Sequence, residues 1–218
     1  EPGKLVTRRR ALPLRTVSLP APAASSEELL EAVWSGVTDR TRVVCVSHIT
    51  FTTGTILPIT ELSARCAARD IVLAVDGAHP PGMIQMDLNT LGGDFYASSP
   101  HKWLLAPQGT GLLYIAEPWR EKLWPTLASG GWDDMTLGAH RFNHMGTMDE
   151  SRIAGLLAAT EFFHALGMQR VEGRVRYLRG MLQDGLMHIP GLSLATPSDN
   201  ALNAAMVSFR IDGGEALD

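Results

Sequence analysis

The sequence has few cysteines and no long apolar stretch. Only Cys45 and Cys66 are present among the 218 residues, too few for a disulfide framework or a cysteine-rich zinc site. No apolar run approaches the roughly 18 residues that a membrane-spanning helix requires, so a membrane is not expected as a partner. The low cysteine content fits a reducing compartment, and a cytoplasmic location is therefore the default expectation.

Basic charge is not in excess either. The 19 lysines and arginines are outnumbered by 23 aspartates and glutamates, which gives a net charge of −4 and argues against nucleic acid as a partner. Hydrophobic residues account for 45% of the chain and charged residues for 19%. This composition can bury a core, and the length fits one large domain or two small ones.

Strand-like and helix-like segments alternate along the chain. Ser25 and Glu28 have the spacing of a capping box, which predicts a helix to about Trp34. Apolar, β-branched runs at 42–46 and 71–75 predict buried strands. Further expected elements are a helix at about 58–70, strands at 94–97 and 112–115, a helix after residue 149 that Gly167 ends, and a helix at about 169–188. This alternation predicts an α/β fold with a mostly parallel sheet flanked by helices.

A division of the chain is expected near residue 150. Residues 1–150 are predicted to form part of a large domain, and residues 151–218 to form two helices and the start of a small α+β domain. Residues 208–211 predict a strand that opens this new unit, and the sequence stops a few residues later. The chain is therefore expected to be a fragment of a longer protein.

Polar residues are concentrated directly after three of the predicted strands. They occupy 47–51, 76–79 and 98–103. In open α/β sheets, ligands bind beyond the carboxyl ends of the strands. We therefore expect the three clusters to lie at one edge of the sheet and to form the functional site.

Lys102, in the third cluster, has two interpretations. It is either a solvated loop lysine or a Schiff-base lysine, which needs partial desolvation and neighbouring cations. His101 and the Ser98 and Ser99 hydroxyls are donors suited to a phosphate. Asp76, in the second cluster, either forms an Asx turn or pairs with a pyridinium nitrogen. The two clusters together favour the cofactor interpretation.

Four ordered motifs point to a known family. They are Asp76-Gly77-Ala78-His79-Pro80-Pro81-Gly82, Asp94-Phe95-Tyr96, Ser99-Pro100-His101-Lys102-Trp103-Leu104 and Pro107-Gln108-Gly109-Thr110-Gly111-Leu112-Leu113-Tyr114. With them the chain resembles the class V aminotransferase superfamily, fold type I enzymes that use pyridoxal 5′-phosphate. Residues 47–50 and 101–104 are most similar to the isopenicillin N epimerase-like branch, and cysteine desulfurases are more distant.

The resemblance implies a role for each site residue. Lys102 would form the Schiff base with the cofactor and move the proton at the substrate α-carbon. Asp76 would pair with the pyridine nitrogen, and His79 would lie near the phenolic oxygen. Ser99 and His101 would hold the phosphate. Residues 1–150 would then be part of the large cofactor-binding domain, and no metal is implied.

A second implication concerns the assembly and the reaction. Gly146-Thr147 resembles a pair that in relatives reaches the phosphate bound by the neighbouring subunit, which implies a homodimer with Thr147 as a cofactor-binding residue. The resemblance implies α-proton removal from an external aldimine of an amino acid or an amino-acid moiety. Epimerase-like and aminotransferase-like outcomes stay open, as does desulfurase or lyase chemistry. The alternative is a non-catalytic fragment or degenerate homologue.

Departures from the family pattern leave the substrate undecided. Phe51 stands where desulfurases carry an asparagine, and Met148 stands where many epimerase-like relatives carry an arginine. Cys45 is expected inside a strand and Cys66 on a buried helix face, so neither is expected to accept sulfur. The arginines of the last helix, at 170, 174, 176 and 179, are expected to form a solvated face.

Overall fold

The chain forms two sheets and seven α-helices in the part described by this computed structural model, residues 2–143, 146–147 and 149–214. The helices are α1 (Pro2–Arg10), α2 (Ser26–Trp34), α3 (Ile59–Ala67), α4 (Leu88–Leu91), α5 (Glu117–Arg120), α6 (Ser151–Leu166) and α7 (Met168–Met187), with a 3₁₀ segment at Met135–Phe142. The strands are β1 (Val43–Ser47), β2 (Val72–Asp76), β3 (Phe95–Ser98), β4 (Leu112–Ile115), β5 (Leu192–Leu194) and β6 (Phe209–Ile211).

The main sheet has the order β1-β2-β3-β4. β1 pairs with β2 and β2 pairs with β3 in parallel, whereas β4 runs antiparallel to β3. The α/β class with a mostly parallel sheet is therefore confirmed. β4 reverses direction because the connection at 99–111 forms turns, and a parallel pairing needs a longer, usually helical crossover.

Helices α2 and α3 cover one face of this sheet, and both begin and end close to the predicted positions. Ser25 caps α2, since its hydroxyl accepts a hydrogen bond from the Glu28 amide at 3.1 Å. The Glu28 carboxylate in turn accepts one from the Ala24 amide. Leu62 and Cys66 of α3 are buried in the main core, as expected from the helical spacing.

β1 is not the buried strand that its composition predicted. It lies at the edge of the sheet, and its alternation places Val44 inside but leaves Val43 57% exposed. Cys45 lies in the strand, as predicted, but it is exposed as well. An apolar run predicts a strand but does not show whether one face or both faces are covered, and for this reason the prediction of burial was wrong.

The second sheet pairs β5 with β6 in antiparallel fashion, and β6 confirms the strand predicted at 208–211. Gly167 ends α6 with a φ of 80°, a conformation that favours glycine. The division near residue 150 stays a prediction. No helix within the described ranges is long and apolar enough to cross a bilayer.

Two of the four arginines of α7 do not lie on the solvated face that their spacing predicted, whereas Arg170 and Arg174 are exposed. Arg179 is only 6% exposed and donates to Gln183 Oε1 at 2.7 Å. Arg176 donates to Glu172 and to the Asn200 carbonyl. The prediction was wrong for these two residues because the segment after β5 folds over α7 and supplies acceptors.

Gly77 allows the end of β2 to lie directly against β3. A Cβ placed on Gly77 would overlap the ring of Tyr96, and Tyr96 is buried in the core.

We expect Gly77→Ala to lower the free energy of unfolding by about 1–3 kcal/mol through overpacking, measured by urea denaturation. Gly173→Ala in α7 is the matched control, because its Cβ meets open space; it should raise stability by about 0.5–1 kcal/mol. Equal effects of both substitutions would contradict this account.

Candidate active site

The parallel register brings the three polar clusters to one edge of the sheet, as predicted. Ser47 lies opposite Asp76 in β1 and β2, and Asp76 lies opposite Ala97 in β3. Backbone hydrogen bonds continue this alignment past the strand ends. The His48 amide donates to the Asp76 carbonyl at 2.8 Å, and the Gly77 amide donates to the Ala97 carbonyl at 2.7 Å.

Lys102, His79 and Trp103 form a connected group at this edge. Lys102 Nζ lies 3.1 Å from His79 Nε2, and the Trp103 indole N–H donates to His79 Nδ1 at 3.2 Å. All three side chains are partly buried. A turn in which the Lys102 amide donates to the Ser99 carbonyl returns the lysine toward His79. Lys102 is therefore not the solvated loop lysine of the alternative interpretation.

Burial and the charge of Lys102 lower the pKa of His79, while the carboxylate of Asp76 opposes them. The His79 ring is therefore biased toward its neutral form at pH 7. A neutral imidazole has one N–H donor and one acceptor nitrogen. This pairing capacity matches a ring that lies between an indole N–H and an amine.

Asp76 adopts the Asx turn that sequence analysis left open. Its Oδ1 accepts a hydrogen bond from the Ala78 amide at 3.0 Å, which fixes the orientation of the carboxylate. Within the described residues, Oδ2 takes no hydrogen bond. The turn and the ligand role are thus compatible, because one oxygen holds the geometry and the other can accept from a ligand.

The expected phosphate donors are present but are not all in mutual contact. The Ser98 hydroxyl is buried and has no hydrogen-bond partner in the described chain. Ser99 is half-buried and His101 is exposed. A buried hydroxyl without a partner is costly, so this group fits a site that receives the acceptor oxygens of a ligand.

Thr147 stays apart from these residues. It is exposed beside Gly146, which has a φ of 93°, and within the described chain no hydrogen bond joins it to the other predicted site residues. Its role toward a neighbouring subunit stays a prediction. Met148 lies outside the described residues.

A buried pair behind the site was not assigned from the sequence. His48 Nδ1 lies 3.0 Å from the Tyr96 hydroxyl, and the two rings meet edge to face. Burial lowers the pKa of His48 to about 4 and raises the pKa of Tyr96.

Trp103 was also missed as a site residue. Its position next to the lysine was the only indication, since a tryptophan near a strand end is usually a packing residue.

The described residues contain no group of side chains that could hold a metal ion. No three histidine, cysteine or carboxylate side chains are grouped to hold a metal ion in the parts of the chain for which placement is described. The arrangement instead offers an amine held by an imidazole, a carboxylate with one free oxygen and a set of hydroxyls. An amine, a carboxylate and hydroxyls are groups that can pair with a small anionic ligand that carries a carbonyl group.

The fold and this site define an α/β protein with a lysine at the carboxyl edge of its sheet. The family model for class V aminotransferases matches residues 10–218, and the chain belongs to this family. The resemblance found in the sequence is thereby confirmed.

Three similar proteins illustrate the relationship. The chain is 36% identical to isopenicillin N epimerase from Streptomyces clavuligerus, over 96% of this chain and 56% of the relative. It is 32% identical to a probable cysteine desulfurase from Mycobacterium leprae, over 85% of this chain and 49% of the relative. A solved C-DES variant with glycine covalently linked to its PLP cofactor matches with a TM-score of 0.77 and 25% identity, covering 96% of this chain and 57% of that one. The chain thus spans about half the length of the relatives it matches.

His48 makes stability depend on pH in a defined direction. Its pKa falls from 6.5 in the unfolded chain to about 4 in the fold, so the unfolded state binds a proton first as pH falls. We expect the free energy of unfolding to drop between pH 6.5 and 4, by up to about 3 kcal/mol from this residue. His48→Gln should flatten that slope in urea denaturation, whereas the exposed His140→Gln should leave it unchanged. A slope that survives His48→Gln would contradict this assignment.

Proposed function

We propose that this protein is part of a pyridoxal 5′-phosphate enzyme that acts on the α-carbon of an amino acid or an amino-acid moiety. One observation carries the proposal: Lys102 Nζ is held against His79 at the sheet edge, beside Asp76. Family membership and the cofactor bound in a solved neighbour support pyridoxal 5′-phosphate as the cofactor.

The residues present fit this group. Lys102 would hold it covalently through Nζ, and the free Oδ2 of Asp76 would accept from its protonated pyridine nitrogen. Ser98, Ser99 and His101 would donate to its phosphate. When bound, pyridoxal phosphate supplies an electron sink for the carbanion formed at the substrate α-carbon.

Lys102 would move the proton at the substrate α-carbon. Its amine would take a proton from the substrate α-carbon and return one to it. His79 Nε2 lies within hydrogen-bond distance of that amine and would orient it. The partial burial of both groups would limit exchange of this proton with bulk water.

Epimerisation is the reaction we favour. The chain is 36% identical to a protein named isopenicillin N epimerase, and the segments around Ser47 and Trp103 resemble that branch. Partial desolvation of the thiol and the charge of Asp76 raise the pKa of Cys45, and burial raises the pKa of Cys66. A sulfur acceptor needs a lowered thiol pKa, so these cysteines do not support desulfurase chemistry.

The assembly we propose is a homodimer in which Thr147 approaches the phosphate site of the partner. Thr147 is exposed, and within the described chain it makes no hydrogen bond to the other predicted site residues, which fits a role toward a second subunit. In this arrangement residues 1–150 belong to the cofactor-binding domain, and residues 151–218 provide the helices and the start of the small domain. A cytoplasmic location remains the default expectation.

The cofactor role of Lys102 is tested with the absorbance spectrum. We expect the protein to develop a visible band on addition of pyridoxal phosphate, and borohydride to leave a reduced adduct that peptide mass spectrometry places on Lys102. Lys102→Ala should lose both, because within the described residues no other lysine is hydrogen-bonded to His79. Lys122→Ala, at the Trp119 ring, is the control and should retain both. A protein that takes up no cofactor would instead be the non-catalytic fragment.

Asp76→Asn tests the role of the carboxylate separately. An amide cannot stabilise a protonated pyridine nitrogen as a carboxylate does, so loss of this charge should slow substrate α-proton exchange by about 10²–10³-fold. Exchange is followed by NMR in deuterated water on the cofactor-loaded protein. The visible adduct at Lys102 should still form. Asp70→Asn, at the turn before β2, should change neither quantity; unchanged exchange in Asp76→Asn would refute the assigned role.

A further inference from the structure

Both ring nitrogens of His79 have a partner, and the two partners differ in kind. Nδ1 receives the indole N–H of Trp103 at 3.2 Å. Nε2 lies 3.1 Å from Lys102 Nζ. An indole nitrogen can only donate, whereas an amine donates or accepts according to its protonation. The hydrogen bond from Trp103 to Nδ1 therefore determines how Nε2 of His79 can pair with Lys102.

The indole N–H selects one tautomer. Because it donates to Nδ1, that nitrogen must carry a lone pair, and the proton of the neutral ring must lie on Nε2. The Nε2–H then faces Lys102 Nζ. Burial also disfavours a doubly protonated ring, which would place an N–H against the indole N–H.

The Nε2–H tautomer of His79 pairs differently with the free-amine and the ammonium forms of Lys102. A free amine can accept a hydrogen bond from Nε2–H. An ammonium group would bring N–H against N–H, unless the ring moved its proton to Nδ1 and broke the bond to Trp103. The bond from Trp103 therefore favours the free amine, which is the form that attacks a carbonyl.

We propose that Trp103 is a positioning residue that fixes His79 as its Nε2–H tautomer, so that this N–H pairs with the free-amine form of Lys102 in preference to the ammonium form. The catalytic significance of the Trp103–His79 contact rests on the proposed function. The tautomer of His79 does not depend on that function. The charged groups that face His79 are Lys102, from the turn after β3, and Asp76, from the end of β2.

The backbone around Trp103 supports a fixed indole. A Cβ on Gly82 would overlap the Trp103 carbonyl, and Gly82 has a φ of 83°. This glycine thus lets the segment after β2 lie directly against the lysine turn. Trp103 also packs against the buried cluster that contains Met83 and Ile49. Packing against this cluster and the hydrogen bond to His79 together hold the indole.

The tautomer is measured by ¹⁵N NMR on the cofactor-free chain with labelled histidine. Protonated and unprotonated ring nitrogens have well-separated shifts, and His79→Gln assigns the resonances. We expect Nδ1 of His79 to be unprotonated and Nε2 protonated near pH 7. In Trp103→Phe, which keeps the aromatic packing but loses the donor, a substantial fraction should move its proton to Nδ1. An Nδ1–H ring in the unchanged protein, or an unaltered ring in Trp103→Phe, would overturn the proposal.

The consequence for the lysine is measured by the rate at which the visible band appears with pyridoxal phosphate, as a function of pH. Loss of one hydrogen bond predicts a roughly three- to tenfold slower rate near pH 7 in Trp103→Phe, with the pH–rate profile moved toward higher pH. Trp119→Phe is the control, because its indole donates to Asp94 instead. An unchanged profile in Trp103→Phe would refute the effect on Lys102. Absence of any band in the unchanged protein would refute the proposed function alone, and the NMR result would still decide the tautomer.

Discussion

The parallel pairing of β1, β2 and β3 is the constraint on which the site depends. It aligns Ser47, Asp76 and Ala97 in one row, and the backbone bonds that follow carry the three connecting loops in the same direction. Without this register, the carboxylate that ends β2 and the lysine beyond β3 would not share an edge. The alignment needs a very close approach of Gly77 to Tyr96, so the absence of one side chain makes the arrangement possible.

Behind this edge the protein separates neutral polar groups from charged ones. His48 and Tyr96 are buried and bonded to each other, and burial keeps His48 uncharged at neutral pH. Asp76 and Lys102 lie further out, where a charge costs less to maintain. His79 stands between the two kinds of environment. Burial is the main cause of its lowered pKa, so the neutral ring can act as a hydrogen-bonding partner.

The sequence was informative where local chemistry decides the structure. The Ser25 cap, the Gly167 helix end and the strand-end positions of Asp76 and Lys102 follow from spacing and residue type alone. The exposure of β1 and the burial of Arg179 could not be predicted in this way. Whether a strand face is covered, or a helix face receives a returning loop, depends on segments distant in the sequence. The same limit concealed Trp103, whose contact with His79 joins two loops that follow different strands.

The site also shows why a turn and a ligand-binding role need not compete for one residue. Asp76 uses Oδ1 to close its turn on the Ala78 amide, and this bond sets the direction of Oδ2. A carboxylate without the turn would have to be oriented by the ligand itself, at a cost in conformational entropy. Trp103 orients His79 in the same sense, since it removes one of two tautomers before any ligand arrives. In both cases a hydrogen bond within the protein prepares the group, so that less of the binding energy is consumed in ordering it.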